Sequence, residues 1–518
     1  MLRKAFVGVL MVVLAFSAPA FAELENVELG GSIEVYAAYY TEFFESTPTA
    51  RIPASWLPLR PIGPGGTVSA VRADDNDHGM AFVEQRTRLN FKADFAERVT
   101  AFIELDSIDA VWGEDFRSNY VTGGDMRAAS VDDVEVYQAY IEADAMCGAP
   151  VRLRVGRQEI AFGSGWLVGA NPDADPFTGL SFDAVRLTYS GAAYTVDAWW
   201  SKLAEMSPIE EDGDIDFYGI YATCTAIEDI EFDAYWMCVR DAVSVQNTRV
   251  GLIEEWLEDA LGLDDYDVTE LHTVGLRSAG ARGAWDWEVE GAYQCGEADA
   301  VGWLFVPVGR IFGDDGASFD NWAGHCEVGY TFDAAWQPRA YLGAQYYEGE
   351  DRRDLSFWEW LNPFDRPEAS VSFNRLFSDH EVDCFLCGSA LTNFWGLSAG
   401  ASRTPTEKLE LSFALTYQEV VEAFDWPVYV SVGRWRLPVA PFLSFWTTED
   451  DDDLGWQATL TVSYDYTEDL NFEVGWTHFF VGEGLEDGAF IDNNALTFIG
   501  GRDDEDADLV YFLAAIAF

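Results

Sequence analysis

Positive charge is scarce in this sequence. Lys and Arg number 31 against 90 Asp and Glu, giving a formal net charge of −59 over 518 residues. Nucleic-acid binding needs a basic surface to meet phosphates, so no nucleic-acid partner is expected. Long apolar runs are missing too. Beyond the first two dozen residues nothing approaches the roughly 20 apolar residues of a spanning helix, which excludes a multi-helix membrane protein. Histidine is rare. His78, His272, His325, His380 and His478 form no H-E-x-x-H pattern, and no G-x-S-x-G elbow occurs. No catalytic residue is assigned, and the chain is read as a non-enzyme. Aromatics, by contrast, abound: 20 Trp, 22 Tyr and 36 Phe, with 45 Gly. That excludes a disordered acidic chain, which would be poor in aromatics.

The two ends narrow the class. Arg3 and Lys4 precede an apolar stretch from Ala5 to Phe16, and Ala20-Phe21-Ala22 follows as an A-x-A site. Residues 1–22 therefore read as a secretory signal peptide cleaved after Ala22, leaving 23–518 as a single domain. At the other end Val510, Phe512, Ala514, Ile516 and Phe518 form one alternating apolar face. A last strand ending in Phe resembles the C-terminal signal of bacterial outer-membrane barrels. That resemblance implies a location in the bacterial outer membrane, among lipid and lipopolysaccharide, and engagement of the barrel-assembly machinery through this strand.

Between the ends, period two dominates. Val83, Thr87, Leu89, Phe91, Ala93 and Phe95 alternate with Glu84, Arg86, Arg88, Asn90, Lys92 and Asp94. Trp285, Trp287, Val289 and Tyr293 alternate with Asp286, Glu288, Glu290 and Gln294. In a membrane barrel the apolar face meets lipid and the polar face the lumen. Strands are predicted at 27–40, 80–95, 98–109, 133–145, 151–162, 181–190, 193–203, 215–226, 229–241, 269–280, 284–297, 321–334, 338–348, 391–402, 407–420, 454–466, 469–480 and 508–518. The stretch 428–447 is assigned to a loop because Pro427, Pro438 and Pro441 interrupt it. Connections alternate between short turns and long loops, the long ones at 41–79, 110–132, 163–180, 204–214, 242–268, 298–320, 349–390, 421–453 and 481–507. The expectation is an all-β fold: a transmembrane antiparallel β-barrel of about 18 strands, with long extracellular loops and short periplasmic turns. Trp112, Trp166, Trp199, Trp236, Trp285, Trp322, Trp336, Trp456 and Trp476 fall near strand ends and are expected in interfacial girdles, because a lumen-filled barrel has no large apolar core.

Four segments carry a family resemblance: Val134-Glu-Val-Tyr-Gln-Ala-Tyr140, Leu153-Arg-Val-Gly-Arg-Gln-Glu159, Phe162-Gly-Ser-Gly-Trp166 and Ser181-Phe-Asp-Ala-Val-Arg-Leu-Thr-Tyr189. Over residues 80–205 the chain resembles the alginate-export family of outer-membrane porins. The resemblance implies an eighteen-stranded barrel whose basic lumen attracts a polyuronate, with some acids to prevent tight binding. The pore-lining candidates are then Arg86, Arg88, Arg152, Arg154, Arg157, Arg186 and Arg277, with Glu84, Glu104, Glu142, Glu288 and Glu290 beside them. Guanidinium makes bidentate contacts to carboxylates and stays charged. The same arginines are equally expected to pair with lumen acids. Arg157 is out of phase with Arg152 and Arg154 unless a bulge at Gly156 resets the face.

Two features depart from the family pattern: no periplasmic turn is long, and acids greatly exceed bases. A channel for passive diffusion of polar or charged solutes is therefore the leading expectation. The alternatives are a dedicated polyuronate or exopolysaccharide export channel, and a structural or adhesive barrel with cation-binding acidic loops.

Weaker signals remain. Cys224 with Cys238, and Cys295 with Cys326, are candidate bridges; Cys384-Phe-Leu-Cys387 reads as a loop staple, and Cys147 as a free thiol. Asp74-Asp-Asn-Asp-His-Gly79 resembles the start of a calcium loop, but Gln85 stands where the final Glu would be. Asp74, Asn76, Asp450 and Asp452 are thus weak Ca²⁺ candidates, and no cofactor is expected beyond Ca²⁺ or Mg²⁺ held loosely by loops. Residues 247–263 have helical spacing and are expected as a short helix at the pore mouth or rim.

Overall fold

The computed structural model describes residues 24–41, 46–48, 70–73, 79–95, 98–112, 134–170, 177, 179–205, 214–242, 268–297, 317–349, 369–370, 372–380, 384–385, 391–421, 426–427, 429–432, 435–438, 447–448, 452–484, 491–493, 496–498 and 505–518. Eighteen long strands follow in order: β1 Leu24–Tyr40, β2 Met80–Phe95, β3 Val99–Val111, β4 Glu135–Ala143, β5 Val151–Gln158, β6 Phe182–Ser190, β7 Tyr194–Glu205, β8 Asp214–Ile227, β9 Ile230–Asp241, β10 Thr269–Arg282, β11 Trp285–Glu297, β12 Ala317–Thr331, β13 Arg339–Tyr347, β14 Phe394–Thr406, β15 Leu409–Val420, β16 Asp453–Asp465, β17 Leu470–Val481 and β18 Ala507–Ala517. They correspond one to one with the segments expected from sequence. Each pairs antiparallel with its chain neighbours, and β1 pairs with both β2 and β18, so the sheet closes. Closure leaves no unpaired edge in the barrel wall. At the seam Gly31 and Phe518 exchange both backbone hydrogen bonds, at 2.9 and 3.0 Å. In the 428–447 loop, Tyr429–Val432 and Trp435–Pro438 form a small hairpin outside the barrel sheet.

The alternating pattern sorts side chains as expected. Leu89, Phe91, Leu187, Val289, Leu342, Phe413, Val474 and Phe512 lie exposed on the outer wall. Their strand neighbours Arg86, Glu290, Tyr347 and Gln418 are buried inside. Such an outer band suits lipid because only apolar side chains enter hydrocarbon at low cost. Trp112, Trp236, Trp285, Trp322, Trp336, Trp456 and Trp476 are exposed, but Trp236 and Trp476 stand near the middle of β9 and β17 and not at a strand end.

Trp166 and Trp199 do not belong to a girdle. They are 1% and 5% exposed and sit inside the barrel, in a core the sequence reading had excluded. Ile160, Trp166, Leu167 and Val168 come from the loop after β5, and Phe373 and Phe377 from the loop after β13. They pack on Phe182, Trp199, Phe217, Tyr221, Tyr347, Phe394 and Phe479, which the strands aim inward. The reason is that two loops fold back into the lumen, carrying apolar residues that strand periodicity does not register. Val168 and Phe377 form a short parallel bridge where the loops meet.

The candidate disulfides fail on register. Cys224 lies opposite Phe232 and Cys238 opposite Tyr218, while Cys295 faces Asp320 and Cys326 faces Val289. Bridging needs Cα atoms within about 7 Å, and Cys224, Cys238, Cys295 and Cys326 stay unbridged. Cys387, the side chain of Cys147, the expected 247–263 helix, and Asp74, Asn76 and Asp450 lie outside what is described. Of Asp452 the backbone carbonyl is engaged, accepting from Val420 N–H at 2.8 Å.

Candidate functional site

Strand register builds the lumen wall. β2 carries Glu84, Arg86 and Arg88 inward, and β3 brings Glu104 and Asp106 alongside. Arg86 donates twice to Asp106 Oδ2, at 2.9 and 2.8 Å. Arg88 stands 2.8 Å from Asp106, 3.4 Å from Glu104 and 3.9 Å from Glu159. Its guanidinium also lies 4.3 Å above the Tyr137 ring. Nearer the turn end, Arg152 pairs with Asp144 at 2.8 Å and Glu142 at 3.3 Å, and Arg154 with Glu142 at 2.6 Å. Arg186 pairs with Asp197 at 2.8 Å. Arg339, which the sequence reading passed over, pairs with Asp286 at 2.5 Å and Glu327 at 2.6 Å. Alternation with Tyr341 and Tyr347 on the same strand was the signal that would have found it.

Arg277 is the most crowded cation. Its Nη1 lies 2.7 Å from both Glu231 and Asp233, and its Nε 2.9 Å from Glu288 and 3.8 Å from Glu290. Four carboxylates thus surround one guanidinium whose side chain is 8% exposed. Tyr235 adds a hydroxyl that donates to Glu290 at 2.8 Å.

Arg157 does not line the lumen. The β5–β6 register runs unbroken from Val151 opposite Tyr189 to Gln158 opposite Phe182, so no bulge at Gly156 shifts the face. Parity then sends Arg157 outward, where it pairs bidentately with Asp183 at 2.9 Å. Lys202 lies opposite Asp183 on the next strand and pairs with Asp214 and Asp216 at 2.5 and 2.9 Å. These groups form a charged row on the outer wall at its loop end.

The Phe162-Gly-Ser-Gly-Trp166 motif makes the inward fold possible. Gly163 and Gly165 have φ of 57° and 82°, a left-handed conformation that costs glycine little. A Cβ on Gly165 would lie 1.8 Å from Asp379 Oδ1, so the second loop seats directly on this glycine. Phe162 stacks on Tyr221, with centroids 4.5 Å apart. Trp166 donates to the Tyr347 hydroxyl at 2.6 Å and packs 5.0 Å from His325. The second loop is clamped to the wall by Gln294, which donates to Asn374 O at 2.7 Å and accepts from Asn374 N–H at 2.8 Å. Arg375 holds the loop's shape by donating to Leu391 O at 3.0 Å, to Ser378 Oγ at 3.1 Å and to His380 O.

His380, on this loop, is pushed down to about 4, first by burial and then by neighbouring His325 and Arg375, with Glu288 opposing. A depressed histidine favours the folded loop when neutral. Its contribution is complete above about 6.5 and is lost as pH falls through about 4. Open-channel current noise is therefore expected to rise over that window as the loop loosens. His380→Gln should flatten the rise; an unchanged noise profile would contradict the assignment.

The family model for alginate export matches residues 68–497. No curated protein matches the chain. Among solved structures, Pseudomonas aeruginosa OccK8 (OprE) is 11% identical with a TM-score of 0.50, covering 96% of this chain and 98% of its own. Pseudomonas aeruginosa OprD is 10% identical with a TM-score of 0.48, covering 97% and 95%. The outer membrane channel DcaP of Acinetobacter baumannii is 10% identical with a TM-score of 0.39, covering 97% and 99%. At these identities the likeness is one of fold. The closed barrel and the long family match agree: the chain belongs to the alginate export family, as an outer-membrane channel.

Proposed function

We propose that the channel passes small polar solutes by diffusion, with a preference for cations. The observation that carries this is the state of the lumen arginines: Arg86, Arg88, Arg152, Arg154, Arg186, Arg277 and Arg339 each have a carboxylate within 3 Å. Arg88, Arg152, Arg277 and Arg339 each face more than one acid. Guanidinium groups already neutralised are poor attractors for a passing anion, and an acid excess at close quarters favours cations. The reading needs no catalytic group.

Planar-bilayer recording under a KCl gradient tests this. The reversal potential is expected to report cation selectivity; anion selectivity would overturn the reading. The family name supports a second reading, polyuronate export. It predicts that added polyuronate, and not a neutral glycan, blocks the current. A barrel that carries no current would instead favour the structural or adhesive role.

We further propose cleavage after Ala22. N-terminal sequencing of protein from outer-membrane fractions should begin at Glu23, and a retained Met1 would refute it. We also propose that the charged row around Arg157 and Lys202 meets lipopolysaccharide through divalent ions that bridge its anionic groups to acids such as Asp183.

A further inference from the structure

We propose that Glu288, Glu290 and His325 form a binding site for a borderline divalent cation of the Zn²⁺ type, set in the lumen wall. The register places Arg277, Glu290 and His325 side by side on β10, β11 and β12, with Glu288 two residues along the same inner face. One ligand atom from each of the three lies within 4.8 Å of the others. Two carboxylates and an imidazole suit Zn²⁺ and its neighbours, whereas an all-oxygen set would suit Ca²⁺ or Mg²⁺.

Two buried atoms point to a ligand. The side chains of Glu290 and His325 are 5% and 8% exposed. Glu290 Oε2 and His325 Nε2 are both buried without a hydrogen-bond partner. They stand 3.6 Å apart, too far for a hydrogen bond and well placed to share one ion. Unsatisfied polar atoms at such depth are costly. Charge points the same way, because Arg277 offsets only one of the carboxylates around it. A divalent cation would offset most of the remainder.

The neighbours suit a held ligand. Tyr235 fixes the other side of Glu290 through its 2.8 Å hydrogen bond. The Trp166 ring at 5.0 Å packs against His325 from the first inward loop. The His380 ring, from the second loop, lies 5.1 Å from that of His325. The site therefore sits where both loops touch the wall, and an ion there would tie loop position to metal supply.

The test is Zn²⁺ soaked into crystals of the full-length barrel, with diffraction at the zinc absorption edge, and Zn²⁺ titration of the detergent-solubilised protein. Anomalous density is expected between Glu288, Glu290 and His325, with oxygen and nitrogen ligands at about 2.0–2.2 Å. His325→Ala and Glu290→Gln should each weaken binding by at least about tenfold, the lower bound seen even when a group that only supports a ligand is lost. Mg²⁺ should not compete. Heat-modifiable gel mobility checks that each variant still forms a barrel, and Glu290→Gln, nearly isosteric, keeps the test valid if the alanine variant does not fold. The proposal fails if wild type shows no density at this site. It fails equally if zinc sits only on cysteine sulfur or loop carboxylates, or if binding survives both substitutions.

Discussion

A valine at position 165 is expected to pull the two inward loops apart and raise single-channel conductance. Gly165 has φ of 82°, which a β-branched residue adopts only with strain. Its new Cβ would also overlap the Asp379 carboxylate, which packs on this glycine and on Gly169. Left-handed strain and overpacking together should cost the docked loop on the order of 2–5 kcal/mol. The barrel itself should survive, because its closure depends on strand pairing remote from this turn. Conductance recordings should thus show larger and noisier openings in Gly165→Val at unchanged heat-modifiable mobility. If conductance stays at the wild-type value, the loops do not set the width of the pathway.

Arg277→Met is expected to have the largest effect on stability. The substitution keeps much of the side-chain volume but leaves Glu231, Asp233, Glu288 and Glu290 facing one another without their shared cation. Removing one partner from a buried ionic cluster costs about 3–5 kcal/mol, because the remaining charge is stranded. The temperature of the gel-mobility transition should fall clearly, and Arg277→Met with Glu288→Gln should recover part of the loss. Selectivity should also shift further toward cations. A variant as heat-stable as wild type would mean that the four acids do not depend on Arg277 to stay folded together.

The barrel was legible in the sequence because its two strongest signals are periodic. Period-two alternation gave each strand, and the strict exchange of short turns with long loops gave the up-and-down order. Alternation also placed Arg86, Arg88, Arg152, Arg154, Arg186 and Arg277 on the inner face. Where it was set aside, at Arg157, the simple parity would have been right: the glycine before it does not bulge.

The interior was less legible for a physical reason. Trp166 and Phe373 sit in loops, where no repeat marks which side chain turns inward. The wall residues that receive them, such as Phe217 and Tyr347, look like ordinary barrel aromatics until the loops are placed. The Phe162-Gly-Ser-Gly-Trp166 motif was visible as a family mark, but its role in seating a second loop some two hundred residues away needs Asp379 to be seen against Gly165. The same holds for Glu290 and His325, which only the β11–β12 register makes neighbours.

The seam has a consequence for biogenesis. β1 finds its second partner only in β18, nearly the whole chain later, so the wall stays open until the final strand has been delivered. Until then the partly built sheet presents two raw edges, each competent to capture another chain. A nascent barrel of this kind is open to wrong edge pairing through most of its assembly. Loss of the last dozen residues would remove the latch itself, even though all the inward-facing charges would still be in place.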